Sequence, residues 1–180
     1  MFYSLLILGH LVADFILQPE KLVKWKYASW RGIVVHAFIH AGINLLLLFS
    51  VWNDSRVLLL VLGLAIAHFF IDKLKILLEP KFKVLLIPFF GDQILHLMTI
   101  VIGVNLLGLQ DVVVKNIFGQ QIYDFKALVV LILVIMVSYV VEMIWFQIQR
   151  IGHRQISYCP NYALMLQRTM VVLAFALLLV

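Results

Sequence analysis

Charged residues are scarce in this sequence. Only 13% of its 180 residues are Asp, Glu, Lys or Arg, whereas 64% are hydrophobic, and the mean hydropathy is +1.08. Soluble globular domains carry about 25% charged residues, which cover a single apolar core. A chain of this length cannot hide so much apolar surface in one core, which excludes an ordinary soluble fold. The net charge of +5 is expected to reflect loop orientation in a membrane, with no nucleic acid as partner.

Cysteine is nearly absent, since Cys159 is the only one. An intramolecular disulfide and a thiolate metal cluster are both excluded, so any bound metal must use nitrogen and oxygen ligands. The alternation of apolar and polar residues typical of membrane β-strands is also missing, because residues 57–67 and 127–137 are continuously apolar. Helices are therefore the expected spanning elements. The N-terminus lacks a basic segment and a signal-peptide cleavage site, so we expect a retained first helix.

Hydropathy predicts one all-α domain, a polytopic transmembrane bundle of about six helices. Each predicted span is close to the length that crosses a hydrocarbon core of ~30 Å. The spans are residues 1–18, 32–52, 57–78, 89–108, 126–149 and 163–180. Residues 1–108 form a four-helix core, and residues 126–180 add two helices. Lysine and arginine concentrate in the first, third and fifth loops, which by the positive-inside rule places both termini outside the cytoplasm.

Ionisable residues within the first four predicted helices occur in pairs. Such residues cost roughly 2.5–3.5 kcal/mol each at the centre of a membrane, so those that are present usually have a function. The pairs are His10 and Asp14, His36 and His40, His68 and Asp72, and Asp92 and His96. Every pair is spaced i, i+4, so both side chains project from one helix face, one turn apart.

The order within these pairs follows the direction of the helix. Histidine precedes aspartate on the first and third helices, whereas aspartate precedes histidine on the fourth, which runs the opposite way. This reversal predicts two layers. The deeper layer contains His10, His40, His68 and His96, and the layer one turn nearer the cytoplasm contains Asp14, His36, Asp72 and Asp92.

Imidazole and carboxylate groups together are typical ligands of zinc, manganese or iron. Zinc is our first choice of divalent metal. Eight candidate ligands exceed the three or four of a single catalytic zinc, so they fit one ion with supporting partners or two ions about 3.5–4 Å apart. Three buried carboxylates need cations, and we expect no Lys or Arg at their depth in the first four helices. This favours metal binding over hydrogen bonding between helices.

Several other polar or small residues are expected to support the bundle. Gln18, Asn44 and Gln93 flank the two layers and either orient the ligands or hydrogen-bond between helices. Glu142 and Arg168 lie at similar depth on the last two helices, which predicts an ion pair, although Arg168 could instead hold a phosphate or carboxylate of a substrate. Gly9 and Gly42 are expected to allow close helix packing.

Four motifs carry a resemblance to a known family. The segment GHLVADFILQP at residues 9–19 resembles the opening motif of the uncharacterised bacterial membrane family named domain of unknown function 3307. The same holds for HAFIH at residues 36–40, HFFIDKLK at residues 68–75 and DQILH at residues 92–96. The resemblance implies a multi-pass protein of the bacterial inner membrane and brings no established reaction. The H-x-x-x-D helices are also similar to those of membrane-bound metal-dependent hydrolases, which favours hydrolysis by analogy.

We therefore expect a membrane-embedded metal-dependent hydrolase. Metal-activated water would attack a phosphoester, ester or amide of a lipid-linked or membrane-associated substrate at the cytoplasmic leaflet. One of Asp14, Asp72 or Asp92 would act as the general base.

Two other functions use the same residues. A divalent metal or proton transporter needs a path to both sides of the membrane, yet the candidate ligands cluster toward one side. A haem-binding electron carrier would use the histidines as axial ligands but leaves the carboxylates unexplained. The bilayer is the expected partner, and the sequence leaves open whether the chain forms a homo-oligomer.

Overall fold

A computed structural model describes residues 1–115, 123–151 and 160–178 of the chain. These residues are mainly α-helical and contain no β-strand, which confirms the all-α prediction. The helices are α1 (Phe2–Leu11), α2 (Glu20–Ala28), α3 (Trp30–Leu47), α4 (Ser55–Leu78), α5 (Leu86–Leu106), α6 (Phe125–Ile135), α7 (Val141–Gln149) and α8 (Tyr162–Leu178). A π-helical turn at Val12–Ile16 extends α1, and a second one at Met136–Val140 joins α6 to α7.

Four helical segments are long and apolar enough to cross a membrane. They are Trp30–Leu47, Ser55–Lys81, Leu86–Leu106 and Phe125–Gln149, and they correspond to the second to fifth predicted spans. Acceptor side chains cap several of these segments. Asp54, for example, accepts a hydrogen bond from the backbone N–H of Arg56 at 2.9 Å at the start of α4. Hydrogen bonds from the Arg56 side chain also lower the pKa of the exposed Asp54 carboxyl.

The first and last predicted spans differ from expectation. The chain bends by 89° between Phe2–Ile16 and Glu20–Ala28, so these two segments form a fifth span only if they are counted together. Pro19 stands at this bend, and a residue that precedes proline is disfavoured in a helix. Helix α8 has 17 residues, about 26 Å at 1.5 Å per residue, which is short for a hydrocarbon core of ~30 Å. The structure thus supports four or five spans, while six spans and the location of the termini stay predictions.

Helices α1, α3, α4 and α5 form a closed four-helix bundle. Helix α3 packs on α4, α4 on α5, and α1 on both α3 and α5. Helix α6 lies outside this bundle against α1, and α7 contacts α5. At the end of the bundle remote from α2, the interior is filled by buried apolar side chains. These include Phe2, Leu5, Leu60, Val61 and Val104.

Glycine allows the backbones of α2 and α3 to approach closely. A Cβ atom on Gly32 would lie 2.6 Å from both the backbone N of Lys26 and the carbonyl C of Trp25. On α1, a Cβ atom on Gly9 would lie 2.5 Å from the side-chain Oδ1 of Asn44, which supports the packing interpretation of that glycine. Gly42 has no described atom within 4 Å of such a Cβ, so close helix packing does not explain this residue.

We predict that Gly32→Ala destabilises the fold, whereas Gly42→Ala does not. The methyl group on residue 32 would meet backbone atoms of α2, which cannot rotate away, and overpacking of this kind costs about 1–3 kcal/mol. Thermal unfolding of the two variants in the same detergent, followed by circular dichroism, measures the difference. Equal unfolding midpoints would contradict the described contact between α2 and α3.

Candidate metal centre

All eight predicted ligand residues converge inside the α1, α3, α4 and α5 bundle, in the half nearer α2. Seven of the eight are no more than 4% exposed, namely His10, His36, His40, His68, Asp72, Asp92 and His96. The side chain of Asp14 is 9% exposed. Each of the four helices contributes two of these residues, as the i, i+4 spacing predicted.

The four histidines of the deeper layer lie with their rings side by side. The ring centroids of His40 and His68 are 3.6 Å apart, and those of His68 and His96 are 4.0 Å apart. His10 closes the group, at 5.0 Å from His96 and 5.4 Å from His40. The four helices therefore present these imidazoles to one place, in agreement with the depth predicted from helix direction.

Asp14 lies in the π-helical turn at Val12–Ile16 and joins the two layers. Its Oδ1 atom is 3.0 Å from Nε2 of His36 and 2.9 Å from Nε2 of His40. Its Oδ2 atom accepts a hydrogen bond from Gln93 at 3.2 Å. A π-turn adds one residue to a helical turn, and such turns are frequent at functional sites. The carboxylate thus contacts side chains from α3 and α5 at once.

The ligand atoms of this cluster form three groups that could hold a metal ion. Within each group they all lie within 4.8 Å of one another. The groups are His10, Asp14, His40 and His68; His36, His68 and Asp72; and Asp72, Asp92 and His96. Because His68 and Asp72 each belong to two groups, the three positions overlap and together use all eight residues.

Several buried polar atoms in the cluster have no hydrogen-bond partner among the described residues. They include Nε2 of His68, Nε2 of His96 and Oδ1 of Asp92. An unsatisfied buried polar atom costs about 1–3 kcal/mol, so native proteins rarely leave one without a partner. Divalent cations at two of the candidate positions, one that includes His68 and one that includes Asp92 and His96, would satisfy these atoms, since neutral imidazole nitrogen and carboxylate oxygen are their usual ligands. The donor set therefore fits a metal ion, although the geometry does not identify which metal.

The expectation that no lysine reaches the carboxylates is wrong. Nζ of Lys26 lies 2.5 Å from Oδ2 of Asp72, and Nζ of Lys75 lies 2.7 Å from Oδ2 of Asp92. The bend after α1 folds α2 back against α3 and brings Lys26 to the cluster, while Lys75 extends its long apolar stem across to α5. Two of the three carboxylates therefore have a protein cation, and their burial does not by itself require a metal.

Each of these lysines contacts the Oδ2 atom of its carboxylate. The other oxygen of Asp92, Oδ1, lies 3.4 Å from Nε2 of His96, and Oδ1 of Asp72 lies 4.0 Å from the same nitrogen. Both carboxylates are therefore paired with a lysine through Oδ2, while the Oδ1 atom of each lies toward His96. Supporting contacts of this kind fix the orientation of metal ligands in proteins.

The three flanking amides have different surroundings. Gln18 contacts Nε2 of His36 at 3.0 Å, and Gln93 donates to both Asp14 and Asp92 at 3.2 Å. Both amides therefore contact side chains of the cluster, and their role in orienting ligands stays a prediction. The Oδ1 atom of Asn44 is buried beside Gly9 and has no hydrogen-bond partner among the described residues.

The predicted pair of Glu142 and Arg168 is formed away from the cluster. Nη1 of Arg168 donates to Oε2 of Glu142 at 3.0 Å, and the backbone N–H of Asn161 donates to the other oxygen, also at 3.0 Å. The guanidinium is thereby engaged with Glu142, which favours the ion pair over the alternative of substrate binding by Arg168.

A cleft of about 610 Å³ leads to the carboxylates from the α2 end of the bundle. Asp14, Asp72 and Asp92 contribute to its wall together with both lysines of the ion pairs. Helix α7 supplies the opposite part of the wall. The α7 residues in this wall are Met143, Phe146 and Gln147, and Arg150, which directly follows the helix, also lines the cleft.

Sequence reasoning missed the roles of Lys26, Lys75 and Arg150. A signal for Lys75 existed, since this lysine stands three residues after Asp72 and so lies near the same helix face. Lys26 reaches Asp72 only because the chain bends after α1, and Arg150 directly follows α7, a helix without a recognisable motif. Hydropathy does not report either of these long-range contacts.

Comparison with known proteins identifies a family but no activity. The sequence model of the family described as "Protein of unknown function (DUF3307)" matches residues 2–123, about two thirds of the chain. No curated protein matches the chain, and no solved structure matches it, so the similarity to metal-dependent hydrolases is not shown. The matched segment includes α1 to α5 and all eight residues of the cluster, whereas α7 and its part of the cleft lie beyond it.

We predict that Lys26→Met destabilises the metal-free protein, whereas Lys24→Met changes little. Loss of Lys26 leaves Asp72 buried without its cation, a change that typically costs about 3–5 kcal/mol. Lys24 pairs with Glu20 at 2.8 Å, but the side chains of this pair are 74% and 49% exposed, and such pairs contribute about 0–1 kcal/mol. Thermal unfolding in the presence of a chelator compares the variants. A similar loss of stability in both would contradict the buried ion pair.

We also predict that His68→Ala loses more bound metal than His10→Ala. His68 belongs to two of the three candidate groups and His10 to one. Elemental analysis of the purified variants after zinc loading measures the number of ions per chain, with circular dichroism as the test of folding. Ser138→Ala, which alters a buried polar residue on the π-turn before α7, serves as the control and should retain the metal content of the unaltered chain. Equal metal content in all three variants would contradict a metal centre in this cluster.

Proposed function

The chain belongs to this family of unknown function, and we propose that it is a membrane-embedded, metal-dependent hydrolase acting on a lipid-linked or membrane-associated substrate. One observation carries the proposal. The candidate metal ligands Asp14, Asp72 and Asp92 line a cleft of about 610 Å³, so an ion held by them would be accessible to a substrate. A purely structural cluster of hydrogen-bonded side chains needs no such access.

The distribution of charge supports an orientation with this cleft toward the cytoplasm of a bacterial cell, in its inner membrane. Helix α2 and the loop after α4 are rich in lysine, and lysine and arginine are enriched in cytoplasmic segments. The aromatic side chains of Trp25 and Trp30 are 43% and 61% exposed, as is typical of residues at a membrane surface. The substrate would then reach the cleft from the cytoplasmic leaflet.

The proposed reaction is the addition of water across a bond of the substrate. A divalent ion, with zinc preferred over manganese or iron, would make a water molecule nucleophilic near neutral pH and stabilise negative charge on the substrate. One of Asp14, Asp72 or Asp92 accepts a proton as the water oxygen bonds to the substrate. The bond to the leaving group breaks, and the leaving oxygen or nitrogen receives the proton.

The described interior of the bundle supports hydrolysis over transport. Beyond the histidine layer, Leu5, Leu60 and Val104 are among the buried apolar residues that fill the space between the helices. A transporter needs a polar route to the other side, whereas beyond Asn44 and Thr99 the described interior is lined mainly by apolar side chains. The closely packed imidazoles of His40, His68 and His96 also leave no room for a porphyrin between them, because the centroids of neighbouring rings are 3.6 and 4.0 Å apart.

The test is turnover by the purified chain in lipid nanodiscs. Zinc-, manganese- and iron-loaded samples are incubated with membrane-bound phosphoesters, carboxylic esters and amides, and products are identified by mass spectrometry. We expect hydrolysis of one class that a chelator abolishes. Asp14→Asn, Asp72→Asn and Asp92→Asn should each lower the rate, by about 10²-fold or more for the residue that acts as base. Asp111→Asn, a change at an exposed position, should not.

A folded, metal-loaded sample without activity on all three classes would contradict the proposal. So would unchanged rates in all three aspartate variants.

A further inference from the structure

Charged side chains dominate the polar lining of the cleft. Its acidic members are Asp14, Glu20, Asp72, Glu79 and Asp92, and its basic members are Lys24, Lys26, Lys75 and Arg150. Five negative and four positive charges leave the metal-free cleft with a net charge of −1. One divalent cation changes this to +1, and two change it to +3. The metal-loaded cleft is therefore complementary to an anionic ligand, whereas a neutral ester or amide gains nothing from this charge.

Arg150 is the basic group of the cleft with the loosest contacts. The Nζ atoms of Lys24, Lys26 and Lys75 lie 2.8, 2.5 and 2.7 Å from the nearest carboxylate oxygen of Glu20, Asp72 and Asp92, respectively. Nη1 of Arg150, in contrast, lies 3.4 Å from the Oε1 atom of Gln147 and 3.8 Å from Oε1 of Glu79. The other oxygen of Glu79 accepts a hydrogen bond from the hydroxyl of Tyr27. The guanidinium of Arg150 thus retains donors for a ligand.

The surroundings of Arg150 orient this guanidinium. It lies 5.5 Å from the ring centroid of Phe146, one turn earlier on α7, in a cation–π contact. A planar guanidinium with several N–H donors matches the oxygens of a phosphate group and binds them in a bidentate manner. Apolar side chains share the same cleft and suit the first methylene groups of an acyl chain. They include Phe15, Val23, Ile76, Phe89 and Met143.

We propose that the cleft binds a lipid that carries a phosphate group, and that Arg150 holds this phosphate as a determinant of substrate specificity. The inference rests on the proposed hydrolase function and assigns its substrate to the phosphoesters. The reaction then transfers the phosphoryl group to water: the water oxygen bonds to phosphorus, the bond from phosphorus to the lipid oxygen breaks, and that oxygen takes up the proton. Because α7 lies outside the segment 2–123 that the family model matches, this specificity belongs to the part of the chain beyond the family region.

The test measures binding separately from turnover. The zinc-loaded chain in phosphatidylcholine nanodiscs is titrated with an anionic lipid phosphonate, a phosphonic acid joined to two alkyl chains through a carbon–phosphorus bond that is not hydrolysed. Uncharged dialkylglycerol and soluble methylphosphonate are titrated in parallel. We expect the phosphonate lipid to bind at least about tenfold more tightly than either, since only this probe has both the charge and the chain.

Variants of two arginines identify the residue responsible. Arg150→Gln should weaken binding of the phosphonate lipid by about tenfold, the effect of losing one charge-assisted contact, while the zinc content stays the same. Arg150→Lys should recover part of the affinity. Arg31→Gln, which removes an exposed charge at the start of α3 outside the cleft, should bind like the unaltered chain.

Wild-type affinity in Arg150→Gln, or equal binding of dialkylglycerol, would overturn the inference. Equally tight binding of methylphosphonate would indicate a soluble phosphate compound as the ligand and would overturn the inference as well.

The outcome of this binding test remains separable from the outcome of the test of the proposed function. Arginine-dependent binding without hydrolysis of any phosphate lipid would contradict only the hydrolase, and hydrolysis of neutral esters that Arg150→Gln leaves unchanged would contradict only the phosphate specificity.

Discussion

Three carboxylates lie inside a bundle of apolar helices, and each of them must be paired with a cation or a hydrogen-bond donor to be tolerated there. Much of the architecture serves this requirement. The fold-back of α2 brings Lys26 to Asp72, and α4 brings Lys75 to Asp92. No lysine of the described part of the chain forms an ion pair with Asp14, which is instead surrounded by imidazoles and by the amide of Gln93.

Pairing by lysine and binding of a metal are compatible in this arrangement. Each lysine contacts the Oδ2 atom of its aspartate, while Oδ1 of both carboxylates faces His96. An ion held by His96, Asp72 and Asp92 could therefore contact the Oδ1 atoms without displacing Lys26 or Lys75. Metal ligands whose orientation is already fixed lose little conformational freedom when the ion binds. This favours a defined coordination geometry over a flexible one.

The core of the site was predictable because its signal is local. Spacing of four residues on one helix defines a face, and the reversed order of His and Asp on α5 follows from helix direction alone. The partners of these residues were less accessible because they are far away in the sequence. Lys26 and Asp72 are brought together by the bend between Ile16 and Glu20, and hydropathy does not indicate in which direction the chain continues after the span at residues 1–18. The wall formed by α7 likewise depends on packing between helices, which leaves no periodic trace in the sequence.

Helix α2 has two faces with different surroundings. Lys26 on one side is buried against Asp72, while Trp25 and Tyr27, its neighbours on either side, are 43% and 49% exposed. In a bilayer these aromatic residues would settle at the headgroup level, which fixes the height of the short helix relative to the lipid. In that placement, the counterion of Asp72 would be carried on a helix whose position depends on the membrane surface. Thickness and headgroup packing of the surrounding lipid would then influence the electrostatic environment of the buried cluster.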